Sequence, residues 1–594
     1  MSAPVDAPAP PPEPEASLRW PGGDGTGTEP TVDDLGVSDP ASPPAEGDPA
    51  AALAAIEAVA HARGGEAGTR RLVGSATLLG LGNLASRVLG FVRDAQIARA
   101  YGGVLAAPFS IAERVPKQIY ILLIGGQLSA ALVPTLAHYG ATDRAELKRA
   151  VAAVLSAAAL VTGLVALAVY WLADPLAHLL VPVESPLYAQ GGLPIVAHAL
   201  RIMAPACLLF ALAGVVTGLL YALERFSAAV LAGAAYNIGM ILAVFLLRKP
   251  LGVAALPTGV VLGSAIQLAL LLYGARGESV RLTWRLSHPV LRRVLVLYAP
   301  IAAGLVITDL LVPGIDAKYS TMGANGAPSW LSWATRLVQF PQGFISTTIA
   351  LAILPTLAAS HARGEVQTYA RTLARGMRLV LALTLPAAVG MAALAGPVVA
   401  LAYQRGAFSG TDRVGVSLAL QGFLIGLPFA AIDLPLNYAF YARGNTWLPA
   451  LIGVVSVGVW WAVARSIGPP AIGGPFPHSA SHVGLALADS AKHATHAGIL
   501  FWLVRRSSGR DVASGVGRTA AAAALAAAVM GVAVVALDGV LAAHVGDHAS
   551  GWAVRGVCGA ALGAAIYLPL AARLGVHEIG WVTGVVRARL RSAG

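Results

Sequence analysis

The sequence predicts an all-α integral membrane protein of about 14 transmembrane helices, and three observations carry that reading. Apolar residues make up 56% of the 594 residues and charged residues only 12%, at a mean hydropathy of +0.69. A soluble domain carries about a quarter charged residues, and a soluble globule has too much exterior for so few charges. Apolar runs of roughly 20 residues recur from Leu72 onward, each long enough to cross a hydrocarbon core of ~30 Å as a helix. Those runs are continuous rather than alternating with polar residues, which excludes membrane strands. The same figures exclude a disordered, collagenous, coiled-coil or disulfide-bound chain for the bulk of the molecule.

Residues 1–70 differ from the rest. They are rich in Pro, Gly and acid (APAPPPEPEA, SDPASPPAEGDP) and carry few large apolar side chains. Such a segment cannot bury enough surface to offset its chain entropy. It is expected to be a disordered cytoplasmic tail, with room for a short helix over Ala51–Ala62 and for a cytoplasmic partner. It lacks the basic start and apolar stretch of a signal peptide.

The spans follow near 72–98, 105–137, 150–173, 194–222, 227–247, 253–274, 291–313, 328–357, 372–402, 415–441, 447–466, 482–504, 518–538 and 553–575. Gly and Ala are abundant within them and allow close helix–helix approach in lipid. Loop charge sets the orientation. One set of loops holds Arg144, Lys148, Arg149, Arg276, Arg281, Arg285, Arg292, Arg293, Arg363, Arg371, Arg505, Arg506 and Arg510, and the end holds Arg587, Arg589 and Arg591. The alternate loops hold only Arg248, Lys249, Lys318, Arg405 and Arg413. The basic set is expected in the cytoplasm, and an even number of spans puts both termini there. This bias accounts for the +11 net charge without nucleic acid as a partner. Val280–Arg293 reads as a basic amphipathic segment lying on the inner membrane surface. Cys207 and Cys558 lie in apolar runs and form no metal-ligand spacing.

Charges inside spans are costly and mark candidate sites. The first span contains Arg87, Arg93 and Asp94 (SRVLGFVRD). Guanidinium matches phosphate oxygens in a fork, so the arginines suit a phosphate-bearing substrate. The competing readings are a structural Arg87–Asp94 pair, seven residues apart on one face, or arginines reaching an interface. The eighth span contains Ser329, Arg336 and Gln339, and Arg336 has no acid nearby in sequence. It needs water, an anion or a partner from another helix. One such span in each half of the chain suggests two lobes facing a shared cavity. Asp309 and Asp316 in the seventh span read as an ion or proton site, or, for Asp316, as a solvent pair with Lys318. Asp489, Lys492, His493 and His496 share a face of the twelfth span by their i, i+3, i+4, i+7 spacing. They read as a proton relay or, with more weight, as a neutralised structural cluster. No phosphate-binding loop, nucleophile elbow or zinc-hydrolase motif is present. A transporter with no cofactor and no metal is expected, not an enzyme.

At this point the residues resemble a family. SRVLGFVRD (Ser86–Asp94) is similar to the opening helix of the lipid II flippases (MurJ/MviN). Further islands follow in order: GQLSAALVPTL (Gly126–Leu136), ERFSAAVLAGAAYNIGM (Glu224–Met240), ATRLVQFPQG (Ala334–Gly343), AILPTLAAS (Ala352–Ser360), QRGAFSGTD (Gln404–Asp412) and FYARGNTWLP (Phe440–Pro449). The resemblance implies the multidrug/oligosaccharidyl-lipid/polysaccharide exporter fold: two lobes around a central cationic cavity plus two C-terminal helices. With it come the divisions 71–280 for the first lobe, 281–504 for the second and 505–594 for the last two helices and basic tail. It implies movement of undecaprenyl-diphosphate-linked disaccharide pentapeptide (lipid II) across the bacterial cytoplasmic membrane for peptidoglycan synthesis. The family's substrate-binding arginines match Arg87, Arg93 and Arg336, and its serines match Ser86 and Ser329. Its ion site places Asp316 on helix seven, but LIGVVSVGVWWAVA on helix eleven offers no ligand. The chain also departs from the family at Ala107, Ile121 and Gly125, where charged residues stand in better-studied members. Two other readings stay open: an exporter of another lipid-linked polysaccharide or of drugs, and a non-transporting scaffold. Arginines within spans argue against the scaffold.

Overall fold

The computed structural model describes residues 66–580, apart from 125–131, 133–134, 137–142, 224, 279, 284–286, 297–311, 446 and 470–479. The tail, Asp309 and most of the expected seventh span therefore lie outside the described residues. Among the described residues every regular element is a helix. The first half comprises α1 (Glu66–Ala112), α2 (Arg114–Ile124), α3 (Arg144–Trp171), α4 (Gly192–Ala222), α5 (Phe226–Leu251) and α6 (Ala255–Gly274). The second comprises α7 (Val312–Thr321), α8 (Ala327–Gln342), α9 (Thr348–Ala362), α10 (Val366–Ala393), α11 (Ala395–Tyr403), α12 (Gly410–Tyr441), α13 (Trp447–Ile467) and α14 (Ser481–Ser508). Two more follow, α15 (Val516–Val545) and α16 (Ala549–Arg573).

Nine stretches among the described residues are long and apolar enough to cross a membrane, fewer than the sequence-based fourteen. The difference has physical causes. Residues 226–274 count once although they form two helices, α5 and α6, which pack along each other. The charged α14 is not among the nine, and 297–311 are not described. The gap expected between the first two spans is a break inside α1. Gly102 stands at φ 66°, ψ −177°, a conformation open mainly to glycine.

The helices divide by their contacts. In the first half α1 packs on α4 and α5, and α3 on α4; in the second α12 packs on α10 and α14, and α13 on α14. The buried cores show how the halves meet. One core draws residues from both, including Ile97, Phe109, Leu200, Trp330, Trp333, Tyr403, Leu427 and Leu485. At the other end there are two separate cores. One is built only from residues between Leu132 and Val294, the other only from residues between Leu357 and Val516. The halves are joined at the end that carries Arg405 and part toward the end that carries Arg144, Arg363 and Arg505. The C-terminal pair α15 and α16 has its own core against α10, with Met530 and Tyr567 buried. The Tyr567 hydroxyl donates to the Ala382 carbonyl at 2.6 Å.

The joined end is closed by backbone as well as by side chains. The Ala407 amide donates to the Arg99 carbonyl at 2.8 Å. A Cβ on Gly102 would fall 2.6 Å from the Ala407 carbonyl oxygen. Ser409 and Asp412 cap α12 reciprocally, hydroxyl to backbone and carboxylate to backbone. Asp412 then uses its other oxygen across the halves: Oδ1 accepts from the Gly103 amide at 3.1 Å and from the Trp330 indole at 2.7 Å. One carboxylate thus satisfies a helix start and ties α1 to α8 and α12.

Candidate functional site: a charged junction where the halves part

The charges of the first and eighth spans meet just beyond the shared core. Asp94 is buried. Its Oδ1 accepts from Arg93 Nε at 2.8 Å, and its Oδ2 from Arg336 Nε at 3.0 Å. Arg336 also donates to the Gln339 side chain at 3.3 Å. The partner that Arg336 lacks in sequence is therefore Asp94, 242 residues away. Both Asp94 oxygens are engaged by these two arginines, so the Arg87–Asp94 pairing suggested by the seven-residue spacing is not the arrangement formed.

Arg87 takes a different position. It is exposed, and its Nη1 donates to the Gln339 backbone carbonyl at 3.2 Å. A π-helical turn, Gly343–Thr347, joins α8 to α9 here; such turns recur at functional sites. A Cβ at Gly343 would fall 2.4 Å from Arg87 Nη1, so a side chain there would oblige the guanidinium to shift. Phe340 packs edge-on against Phe91 at 5.7 Å, and Tyr403 lies 5.7 Å from Phe91. Tyr403 belongs to the shared core, so these rings carry that core up to the junction.

The three arginines do not point alike. Arg93 is buried, with 7% of its side chain exposed, and its guanidinium lies 6.0 Å from the Tyr236 ring. Gly90, between Arg87 and Arg93, keeps helical backbone; the break in α1 is at Gly102. Arg336 keeps 34% of its side chain exposed. Arg87 and Arg336 are thus the accessible cations, and Arg93 holds Asp94 from behind. The expected serines lie aside. The Ser86 carbonyl accepts from Asn237 on α5 at 3.1 Å, and buried Ser329 meets Ser110 hydroxyl to hydroxyl at 3.2 Å. Ser329 is two helical turns, about 10 Å, from Arg336.

A second charged group lies within the second half. On α14, Lys492 pairs with Asp489, and His493 Nε2 stands 3.6 Å from the same carboxylate. His496 reaches across to Asp433 on α12, Nδ1 to Oδ1 at 2.6 Å. Asp433 was missed by sequence reasoning. The signal was present: it is an acid inside an apolar span (FAAIDLPLNYAF). The expected Asp316–Lys318 pair is not the arrangement found. Asp316 instead accepts from Arg114 Nη1 on α2 at 2.5 Å, across the two halves. Sequence spacing could not show this, because the partner lies 202 residues away. No group of three metal-ligating side chains occurs among the described residues.

Two helical halves, joined at one end and parted at the other, with paired cations where they part, are the architecture of a membrane transporter. The chain belongs to the lipid II flippase MurJ family, whose pattern matches residues 97–550. A Rhizobium tropici protein named probable lipid II flippase MurJ is 30% identical over 395 residues, 64% of this chain and 73% of that one. A solved structure of lipid II flippase MurJ in an inward closed conformation matches with a TM-score of 0.67 at 19% identity, covering 83% of this chain and 97% of that one. An inward-facing multidrug resistance MATE family transporter of the MOP superfamily matches at 0.57 and 15% identity, covering 73% and 96%. These two structural likenesses show the fold.

Proposed function

We propose that the protein is a lipid II flippase that moves undecaprenyl-diphosphate-linked disaccharide pentapeptide from the inner to the outer leaflet of a bacterial cytoplasmic membrane. The observation that carries the reading is the junction of α1 and α8, in which two guanidiniums hold one carboxylate and a third, Arg87, reaches the Gln339 carbonyl on α8 where the halves part. The junction concentrates arginines inside membrane spans, where charge is costly and marks function. A diphosphate is the anion their forked guanidiniums suit. It would engage the exposed faces of Arg87 and Arg336, while buried Arg93 keeps Asp94 from following Arg336 outward. Ser86 and Ser329 would act on the substrate only after a change of helix packing.

The basic loops lie at the parted end, which on the charge rule faces the cytoplasm. The same rule places both termini inside, and the division into a tail, two lobes and two added helices follows. The polyprenyl chain would stay in lipid while the headgroup enters between the halves. A membrane potential positive outside favours outward movement of negative charge by about 2.3 kcal/mol per charge per 100 mV. The test is survival of cells depleted of their own lipid II flippase and supplied with this chain, with or without residues 1–68. Growth in both cases is expected. Failure of a well-inserted full-length protein to support growth, together with no lipid II movement in vesicles, would reject the reading.

A further inference from the structure

We infer that Asp433 and His496 form a proton-binding site inside the second half, one whose occupancy is felt by the ion pair that bridges the two halves. Its claim to a role in transport rests on the flippase reading; its claim to bind a proton does not.

The argument starts from the hydrogen bonds of one ring. His496 Nδ1 lies 2.6 Å from Asp433 Oδ1, and His496 Nε2 lies 3.1 Å from the backbone carbonyl of Pro449 on α13. A backbone carbonyl only accepts, so Nε2 carries a hydrogen. The carboxylate facing Nδ1 is satisfied only if a proton lies between the two atoms. That proton belongs either to Nδ1, giving an imidazolium beside a carboxylate, or to Asp433, giving a neutral acid beside a neutral ring. In both forms the pair holds one proton more than an ionised Asp with a neutral His. No other donor reaches the Asp433 carboxylate among the described residues. Proton release would leave a bare carboxylate facing a bare ring nitrogen, two acceptors at 2.6 Å. The pair is nonetheless not sealed: 13% of the His496 side chain and 17% of the Asp433 side chain are exposed, which gives the proton a way in and out.

The neighbours decide what the proton does. On α14, Lys492 is engaged by Asp489, with His493 beside them. Lys492 also lies within electrostatic reach of both Asp433 and Asp316. Asp316, on α7, is the acid that accepts from Arg114 of the first half. With the proton bound and His493 neutral, Asp316, Asp433, Asp489, Lys492 and His496 together carry one net negative charge. Without it they carry two. The cation facing this group from the first half is Arg114. Deprotonation therefore strengthens the hold of the second half on Arg114, and protonation weakens it. Burial from water makes such a difference larger than it would be at a surface. The site thus converts a proton into a change in how firmly the halves are held together on the α2–α7 side.

Two measurements on the full-length protein test this. The first needs no substrate: ring-nitrogen NMR of His496 in nanodiscs at pH 7, with infrared spectra of wild type and Asp433→Asn. Either both ring nitrogens are protonated, or a protonated-carboxyl band is present that vanishes in Asp433→Asn. One bare ring nitrogen with no such band overturns the site. The second reads spin-label distances across the α2–α7 contact between pH 8 and pH 5. In wild type the ratio of separated to joined halves rises with acid, by up to about tenfold per pH unit for one proton. In Asp433→Asn/His496→Gln that response is flat, and in His496→Lys, which fixes the charge, it is flat as well. An unchanged acid response in folded variants overturns the coupling. Should the variants fail to fold, the wild-type spectra still decide whether the proton is there. If both results hold while lipid II does not move in vesicles, the proton site stands and the flippase reading falls.

Discussion

Two groups of charge lie in the interior of this molecule, and they differ in sign and in place. The junction of α1 and α8 holds Arg93 and Arg336 on one acid, Asp94, with Arg87 on the Gln339 carbonyl, and straddles the two halves. The group on α12 and α14 gathers two acids, one lysine and two histidines, and belongs to one half. The first has cations to spare and faces the space between the halves; it suits an anion that crosses. The second has acids to spare and a ring nitrogen facing each acceptor; it suits a proton that stays within one bundle. Excess charge in a membrane interior thus indicates the kind of ligand, and its position relative to the seam indicates whether that ligand is carried or sensed.

The contrast breaks most sharply if the arginines prove dispensable. Arg336→Ala and Arg93→Ala are each expected to lower lipid II flipping in vesicles by roughly 30-fold to several thousand-fold, the range for losing about 2–5 kcal/mol of a buried charged contact. Arg336→Lys is expected to recover only part, since it keeps the charge and loses the fork. Flipping at the wild-type rate in either alanine variant would remove the junction from the substrate site.

Asp94→Asn sharpens the comparison on the side of stability. It leaves two guanidiniums around a neutral amide, and breaking a buried pair costs about 3–5 kcal/mol. Because Arg336 is a third exposed, the lower end is expected, seen as a fall in melting temperature in detergent. A diphosphate-bearing lipid should return part of that loss. If it returns none, the carboxylate is not occupying a place an anion could take.

In the second group, Lys492→Met leaves Asp489 without its strongest partner. Both side chains are more than a quarter exposed, so a loss of only about 1–2 kcal/mol is expected. Adding Asp489→Leu should restore the melting temperature. A double variant as unstable as the single one would show that the pair is not a self-contained neutral unit.

The smallest effect belongs to the C-terminal helices. Between α15 and α16, Asp547 accepts from the Trp552 indole at 3.2 Å and from Arg413 at 3.0 Å. These bonds, the indole first, hold its carboxyl below the usual carboxylate range. A depressed value means that its contribution is present above the ordinary carboxylate pKa and is lost as pH falls through the folded value. Asp547 is largely open to water, so the effect is modest. The hydrogen-exchange protection factor at the start of α16, corrected for the intrinsic pH dependence of exchange, should fall below about pH 4 and stay level between pH 6 and pH 8. A change confined to the upper range would point to another group.

The spans were legible because hydropathy is a local property, and α3, α4, α10, α12 and α15 stand where continuous apolar runs place them. The junction's arginines were legible as residue types, since arginines within apolar runs are rare. Its wiring was not. Asp94 takes Arg336 rather than Arg87 of its own span through a contact 242 residues long, and Asp316 takes Arg114 rather than the lysine two positions away. Asp433 escaped notice because it stands alone in its span, and a lone acid shows no spacing pattern until the helix beside it supplies the histidine. The break at Gly102 was expected only as an interval between runs, since a reversed φ leaves no hydropathic trace.

The closure at Arg99 and Ala407 also sets a timescale. Its parts are a main-chain bond, two glycines that permit close approach and one carboxylate taking amide and indole protons. Arg99, Arg405, Gly406 and Ala407 are exposed, so when the contact parts, water can replace much of what is lost. Each such exchange costs only about 0.5–1.5 kcal/mol. The shared apolar core at this end must part as well, so opening belongs with the microsecond-to-millisecond range of domain movements rather than with side-chain motion. A seam of this construction is fastened partly by bonds that water can replace and partly by an apolar core that it cannot.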